Sequence, residues 1–360
     1  MSRSCADLLV WFRARNRDVP WRGESDPYRI WVAEVMAQQT RIATVRDYYE
    51  RFLDAFPDVE TLAAAHLDAV LKVWEGLGYY ARARNLHRAA ARVVAEHGGT
   101  LPSEPDLLRS LPGIGRYTAG AIASLAFGKP EPAVDGNARR VLSRLFDIER
   151  PTATALDRAA RLLIARSPES AAEVNQALMD LGASVCTPAG PDCAGCPLRE
   201  DCLALVRGTV AERPPPRSQR EIPHYHIAVG VVWRSGRVLV ARRPESGLLG
   251  GLWEFPGGKI EAGETASAAV VRELREEMEI AVEVGDHIVS VDHAYSHFRI
   301  TLNAYHAVHT GGEPRPHAAT TWLWVEPKDL CKLAFPAANL RVLQALVGEV
   351  GSLSRGPISD

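Results

Sequence analysis

Glu34 sits in Trp31-Val32-Ala33-Glu34-Val35-Met36-Ala37-Gln38-Gln39-Thr40, a carboxylate on an otherwise apolar helical stretch. An acid among such neighbours loses the hydration of its charged form, so its pKa rises and it becomes fit to donate a proton near neutrality. The competing assignment is a glutamate whose side chain reaches past its neighbours to solvent. Gln38, Gln39 and Thr40 follow at once, uncharged groups of the kind that hydrogen-bond base edges. The second carboxylate is Asp135, in Val134-Asp135-Gly136-Asn137, ahead of Arg139, Arg140 and Arg144. In such a turn an aspartate is first of all a helix N-cap. Between the two lies Leu111-Pro112-Gly113-Ile114-Gly115, separating two helical segments. A turn of this kind points bare backbone N–H groups at a phosphate where the next helix begins, or simply makes a corner between helices.

Four of the six cysteines crowd into Cys186, Cys193, Cys196 and Cys202, spaced C-x6-C-x2-C-x5-C. Crowding of this sort reads as a metal site. Reducing thiols oppose disulfides in a cytosolic chain, and structural zinc takes two short-spaced pairs where this loop has only one. Four thiolates on one compact loop suit an iron-sulfur cubane. Pro188, Pro191, Gly195 and Pro197 agree with irregular backbone, and Cys5 and Cys331 stand alone as ordinary thiols. Further on, Glu273, Glu276 and Glu277 fall at i, i+3 and i+4, which places three carboxylates on one helix face. Like charges so close are costly unless a divalent cation such as Mg²⁺ neutralises them, the alternative being a solvated acidic face.

The elements that must hold these groups differ between the two halves. Apolar residues recurring every three or four positions predict helices over Ser103 to Leu111, Tyr117 to Phe127, Asn137 to Phe146 and Ala155 to Ala165. The stretch 208–223, with its proline triplet among charged residues, predicts a stiff linker. After it His226 to Trp233 and Arg237 to Ala241 predict a hairpin turning at Ser235-Gly236, followed by a helix over Ala266 to Met278 and strands over Ile288 to Val291 and Phe298 to Val308. The chain of 360 residues, 46% hydrophobic and 24% charged, has the composition of an ordinary multi-domain globular protein. Its formal net charge of −2 means that any DNA binding is local rather than a property of bulk charge. No apolar run approaches the ~20 residues of a membrane helix. Leu8 to Phe12 is followed by Arg13, Arg15 and Arg17 rather than by a signal-peptide core. A cytoplasmic, nucleoid-associated monomer with no membrane partner is expected.

The order E-V-M-A-Q-Q-T, G-L-G-Y-Y-A-R-A-R-N-L, L-P-G-I-G-R-Y-T-A, V-D-G-N and the four cysteines resembles the helix-hairpin-helix DNA glycosylases, and within them the MutY family of adenine-excising enzymes, over most of residues 5–206. The resemblance implies an all-α glycosylase domain over 1–207, with a 4Fe-4S loop over 186–202. It implies that Glu34 protonates the adenine and that Asp135 stabilises the oxocarbenium-like sugar. Gln39 and Tyr79 correspond to residues that wedge into the base stack while adenine is flipped out. Gln38 and Asn137 join them at the DNA, and Gly113 and Gly115 clamp phosphate. In relatives that also cleave the backbone, the position of Tyr117 holds a Schiff-base lysine. With tyrosine there, and only Lys72 and Lys129 in the first 210 residues, a monofunctional glycosylase is expected.

Residues 258–280 resemble the Nudix box G-x5-E-x7-R-E-U-x-E-E-x-G-U at every fixed position except Glu279, which stands where glycine is expected. If that residue ends the helix at positive φ, a glutamate costs on the order of 1 kcal/mol without removing a metal ligand. The likeness extends to Trp253-Glu254-Phe255-Pro256-Gly257-Gly258 and Phe335-Pro336-Ala337-Ala338-Asn339, which resemble the MutT-type 8-oxo-dGTP hydrolases. It implies a Nudix-fold α+β domain over 224–349 and a tail over 350–360. It also implies a Mg²⁺ site at Gly258, Glu273, Glu276 and Glu277, and oxidised-purine contacts from Phe255 and Asn339. His293-Ala294-Tyr295-Ser296-His297 resembles the loop by which the MutY family reads 8-oxoguanine, with Ser296 and His297 on the lesion. The partner so implied is double-stranded DNA carrying an 8-oxoguanine:adenine mispair. The alternative is a bifunctional chain that also hydrolyses 8-oxo-dGTP.

Overall fold

A computed structural model describes residues 2–15, 19–216, 221–295 and 297–353. Ser296 lies outside the described residues. The chain divides into two compact units, one of Met1–Ala64 with Asn85–Gln219 and one of Ala65–Arg84 with Arg220–Asp360. The architecture is an all-α unit and a mixed-sheet α+β unit.

In the first unit the four segments expected to be helical are Pro105–Ser110, Arg116–Leu125, Gly136–Leu145 and Ala153–Ile164, each end within two residues of its expected place. The starts are fixed by local chemistry. Pro105 opens its helix, Thr152 accepts the Ala155 N–H at 3.2 Å, and Asp135 accepts the Ala138 N–H at 2.7 Å. Leu142, Leu163, Val174, Leu178 and Leu181 join one buried cluster between the helices Gly136–Leu145, Ala153–Ile164 and Ala171–Ser184. The helix Pro27–Ala37 is capped by Asp26, and Tyr28 and Ile30 to Met36 are all buried. A helix apolar on every side is a core helix, and the carboxyl of Glu34 is carried inside with the rest.

The second unit is built on β1 (His224–Arg234), β2 (Arg237–Arg242), β3 (Trp253–Glu254), β4 (Gly257–Lys259), β5 (Ala281–Ala294), β6 (Arg299–Gly311) and β7 (Thr321–Val325). The sheet order is β3-β2-β1-β6-β5, with β4 added to β1 and β7 to β2; β1 and β6 are parallel and the other pairs antiparallel. Ser235 (φ 50°) and Gly236 (φ 75°) make the β1–β2 turn, both in the left-handed region that a tight hairpin needs. Strict alternation sends Val229, Val231, Val238 and Val240 to one face, with Ala338, Val342 and Leu346. Ala228, Val232, Leu239 and Ala241 go to the other, with Val270 and Leu274. The helices Ala266–Met278 and Ala337–Leu353 thus cover opposite faces of one sheet.

One expectation changes. β5 begins at Ala281, seven residues before the predicted Ile288, because it is the last strand of the sheet order and mostly exposed, with Gly285 and register shifts near His287 hiding its pattern. Residues 65–84, which the sequence places in the glycosylase stretch, pack with the C-terminal residues in one compact unit. Arg242 pairs with Asp68 at 2.6 Å, Lys72 donates to Leu333 O at 3.0 Å and Arg84 to Gly250 O at 2.5 Å. Contacts between segments some 170 to 260 residues apart leave no trace in local spacing.

Candidate active site

Glu34 and Asp135 line one cleft of about 940 Å³ in the helical unit. Glu34 is 6% exposed, and its Oε2 accepts a 2.5 Å hydrogen bond from the Tyr117 hydroxyl. Burial pushes the Glu34 carboxyl up to about 7, the Tyr117 bond opposes this, and the nearby Asp135 charge adds to it. Asp135 is also raised by burial, against the pull of its hydrogen bonds. It does act as an N-cap, and its other oxygen accepts from Asn137 Nδ2 at 3.0 Å, so both oxygens are fixed in place. Tyr117 is raised by the same burial and by the two carboxylates, so it stays a neutral donor.

The same cleft collects Gln38, Gln39, Gly113, Gly115 and Asn137. Gln38 Nε2 donates to Thr118 Oγ1 at 3.0 Å, and Gln39 sits in the left-handed region at φ 57°. Gly113 (φ 77°) has no alternative: a Cβ there would lie 2.6 Å from that of Asn85. Gly115 precedes the helix Arg116–Leu125 with open space where its Cβ would be. Sequence reasoning missed Arg22, Gln176, Met179 and Asp180, which line the cleft from two further segments. Arg22 pairs with Asp180 at 2.6 Å and also donates to Gln176. The available signal was the run Asn175-Gln176 and Asp180 among the Ala, Val, Leu and Met residues of the helix Ala171–Ser184.

Cys186, Cys193, Cys196 and Cys202 line a single small cavity, and none forms a disulfide. Burial first, and the other three thiols with it, push Cys196 up to about 11. Arg144 organises the loop: Nη1 donates to Thr187 O at 2.8 Å and reaches Cys186 Sγ at 3.3 Å, and Nε donates to Arg213 O at 2.9 Å. Among the described residues no three His, Cys, Asp or Glu side chains converge as they would on one metal ion.

In the second unit Arg272 gathers the box. It donates to Glu264 Oε1 at 2.9 Å, Glu273 Oε1 at 3.0 Å and Glu276 Oε2 at 3.2 Å. A Cβ at Gly258 would lie 2.2 Å from the Glu273 carboxyl carbon, so a side chain there displaces that carboxylate from its place. Glu277 is pushed up to about 7 by burial and then by Glu273 and Glu254. Glu279 does occupy the left-handed region (φ 55°), where its carboxylate meets His317 Nε2 at 2.7 Å. Phe255 is 1% exposed and stacks on Phe335 at 5.5 Å, while Asn339, 5% exposed, accepts the Phe255 N–H at 3.1 Å. Both are committed to packing within the unit. His297 is exposed in the loop between β5 and β6, beside the stacked Tyr295 and Phe298 rings.

The HhH-GPD superfamily of base excision DNA repair proteins matches residues 32–166, and the NUDIX domain matches residues 228–345. The chain is 35% identical to the adenine DNA glycosylase of Mus musculus over 94% of its own length and 77% of that protein's. It is 33% identical to that of Homo sapiens over 95% and 73%. A thermostable thymine-DNA glycosylase of known structure aligns with 56% of the chain and 95% of itself, at 29% identity and a TM-score of 0.53. With a helix-hairpin-helix match, a Nudix match and relatives of one kind aligned over most of both chains, the chain is a base-excision-repair glycosylase and belongs to the adenine DNA glycosylase family.

Proposed function

We propose that the chain removes adenine mispaired with 8-oxoguanine or guanine in duplex DNA, hydrolysing the N-glycosidic bond without strong lyase activity. The observation that carries this reading is the buried pair of Glu34, protonated up to about pH 7 with Tyr117 on one oxygen, and Asp135, fixed beside it in one cleft. An adenine turned out of the stack accepts the Glu34 proton as the bond to the sugar breaks. The positive charge left on the sugar faces the Asp135 carboxylate, and water adds at that carbon. Tyr117 offers no amine for a Schiff base. Lys72 is bound to Glu75 and Lys129 to Glu104. The Gly113–Gly115 turn supplies backbone N–H groups for phosphate, and Gln38, Gln39, Asn137 and the exposed Tyr79 serve the strand and the stack. Cys186, Cys193, Cys196 and Cys202 would hold a 4Fe-4S cluster, which when bound orders the loop that Arg144 already ties down. The domains so used are residues 1–207 for excision and 224–349 for reading the oxidised base, through His297 and Ser296.

Duplexes with adenine opposite 8-oxoguanine, guanine and thymine test the reading. Release of free adenine from the first two, leaving a strand that breaks only after alkali, is expected. No adenine release, or efficient borohydride trapping, refutes it.

A second reading rests on the box. Glu277, at about 7 beside Glu273 and Glu254, is an acidic group poised for a cation or a proton, as hydrolysis of 8-oxo-dGTP with Mg²⁺ requires.

A further inference from the structure

The turn that carries Tyr79 is tied both to its neighbours in sequence and to residues 333–335. Gly76 (φ 95°) and Gly78 (φ 75°) adopt the left-handed region freely, whereas Tyr79 (φ 49°) does so as a non-glycine residue, and Tyr79 is 39% exposed. A non-glycine residue in that region persists only when its surroundings hold it there. The turn is held from inside by Trp74 Nε1 on Gly78 O at 3.1 Å and by the Arg82 guanidinium on Leu77 O and Gly78 O at 3.3 and 3.1 Å. That guanidinium also lies 5.3 Å from the Tyr79 ring centre.

The same turn is held from below by residues 333–335. Glu75 Oε1 accepts the Phe335 N–H at 2.8 Å, and its Oε2 accepts from Lys72 at 2.7 Å. Lys72 donates onward to Leu333 O at 3.0 Å. The Tyr80 hydroxyl donates to Phe335 O at 3.4 Å and accepts the Gly76 N–H at 3.1 Å. Phe335 is the residue that stacks on Phe255. The backbone of Phe335 is thus bonded through both its polar groups to the two residues that bracket the Gly76–Tyr79 turn.

We infer that Glu75 and Tyr80 are positioning residues for Tyr79: they fix the turn to the Leu333–Phe335 backbone, so that the aromatic wedge, though it lies within the glycosylase stretch of the sequence, is held in place from the C-terminal part of the chain. The inference rests on the reading of Tyr79 as the wedge and adds what holds it. A rigid, protruding aromatic is what unstacking a base step needs, because a mobile ring loses in ordering what it gains in contact.

A double-mutant cycle on the full chain tests it. Adenine excision is followed in single turnovers at saturating protein. A 2-aminopurine base at the target position brightens on leaving the stack and gives a second readout. Glu75→Ala is expected to slow excision about tenfold and to damp the brightening, with affinity for undamaged duplex changed less than twofold. Glu75→Gln keeps an acceptor for the Phe335 N–H and recovers most of the rate. Tyr80→Phe repeats the loss in milder form and carries the cycle if Glu75→Ala does not fold. Adding either change to Tyr79→Ala is expected to cost nothing more. Losses that multiply in the double variants, or a Glu75→Gln chain no better than Glu75→Ala, overturn the inference and leave the wedge reading standing. A Tyr79→Ala chain with the parent rate and brightening overturns both.

Discussion

Glu34→Gln separates catalysis from stability, and the pH dependence of each is fixed by the same burial. The carboxyl moves from 4.5 to about 7 in the folded chain. At about 1.4 kcal/mol per tenfold, the ionised form is roughly 3 kcal/mol less stable in the cleft than in the unfolded chain. The sign follows from proton counting. Below pH 4.5 both states hold the proton and there is no difference; between 4.5 and 7 the folded state keeps a proton that the unfolded state has released, so stability falls as pH rises; above about 7 the loss is complete and constant. Glutamine has nothing to ionise and still accepts the Tyr117 hydroxyl. The variant is therefore expected to melt at nearly the parent temperature at pH 4.5 and roughly 6 to 12 °C above it at pH 8, using 2–4 °C per kcal/mol for a unit of this size. The assay is a thermal melt of parent and variant across pH 4.5–8.5, with adenine excision measured on the same preparations. Excision should vanish at every pH. A melting difference that is flat across the range, or a variant less stable than the parent at pH 8, would refute the burial argument, and excision within a few-fold of the parent would remove Glu34 from the mechanism.

Other outcomes are expected from the same geometry. Asp135→Asn keeps the cap to Ala138 and loses the charge, so excision should fall by roughly 10² or more with duplex binding retained, as scored by gel shift. Tyr117→Lys puts an amine where the hydroxyl meets Glu34, and borohydride should then trap a covalent complex that the parent does not form. Purified protein should absorb in the visible and carry about four irons per chain, Cys193→Ser should lose both, and stoichiometric zinc in the parent would refute the cluster. If the box is active, the chain with Mg²⁺ converts 8-oxo-dGTP to monophosphate and pyrophosphate and Glu276→Gln, at a position 61% exposed, stops this without slowing adenine excision; equal turnover in both chains sinks that reading.

What local spacing determines, the sequence shows. The Ser235-Gly236 turn, the helix Ala266–Met278 and the left-handed Glu279 are each set by neighbours a few residues away, and each was legible. The burial of Glu34 was legible too, because Trp31, Val32, Val35 and Met36 surround it on every side of one helix. The Tyr117–Glu34 bond joins residues 83 apart, and the cleft's third wall, with Gln176 and Asp180, comes from a helix further still. Those depend on helix packing, which no periodicity encodes. The second unit's claim on residues 65–84 is the extreme case, made by single hydrogen bonds and ion pairs such as Arg242 with Asp68.

That claim has a cost in the order of synthesis. Residues 65–84 leave the ribosome well before the strands and the 333–335 backbone they bind, with residues 85–219 to be made between. At 5–20 residues per second the segment waits on the order of tens of seconds for the last of its partners. Leu71, fully buried in the finished protein, lies against Gly251, which is made later still. Asp68, Lys72 and Glu75, near Leu71 in sequence, keep the waiting segment soluble and are the residues that later pair with Arg242, Leu333 and Phe335. Charges that serve as fasteners in the folded protein thus double as guards against premature association, and replacing them with apolar residues of equal size would trade a modest gain in packing for aggregation of the nascent chain.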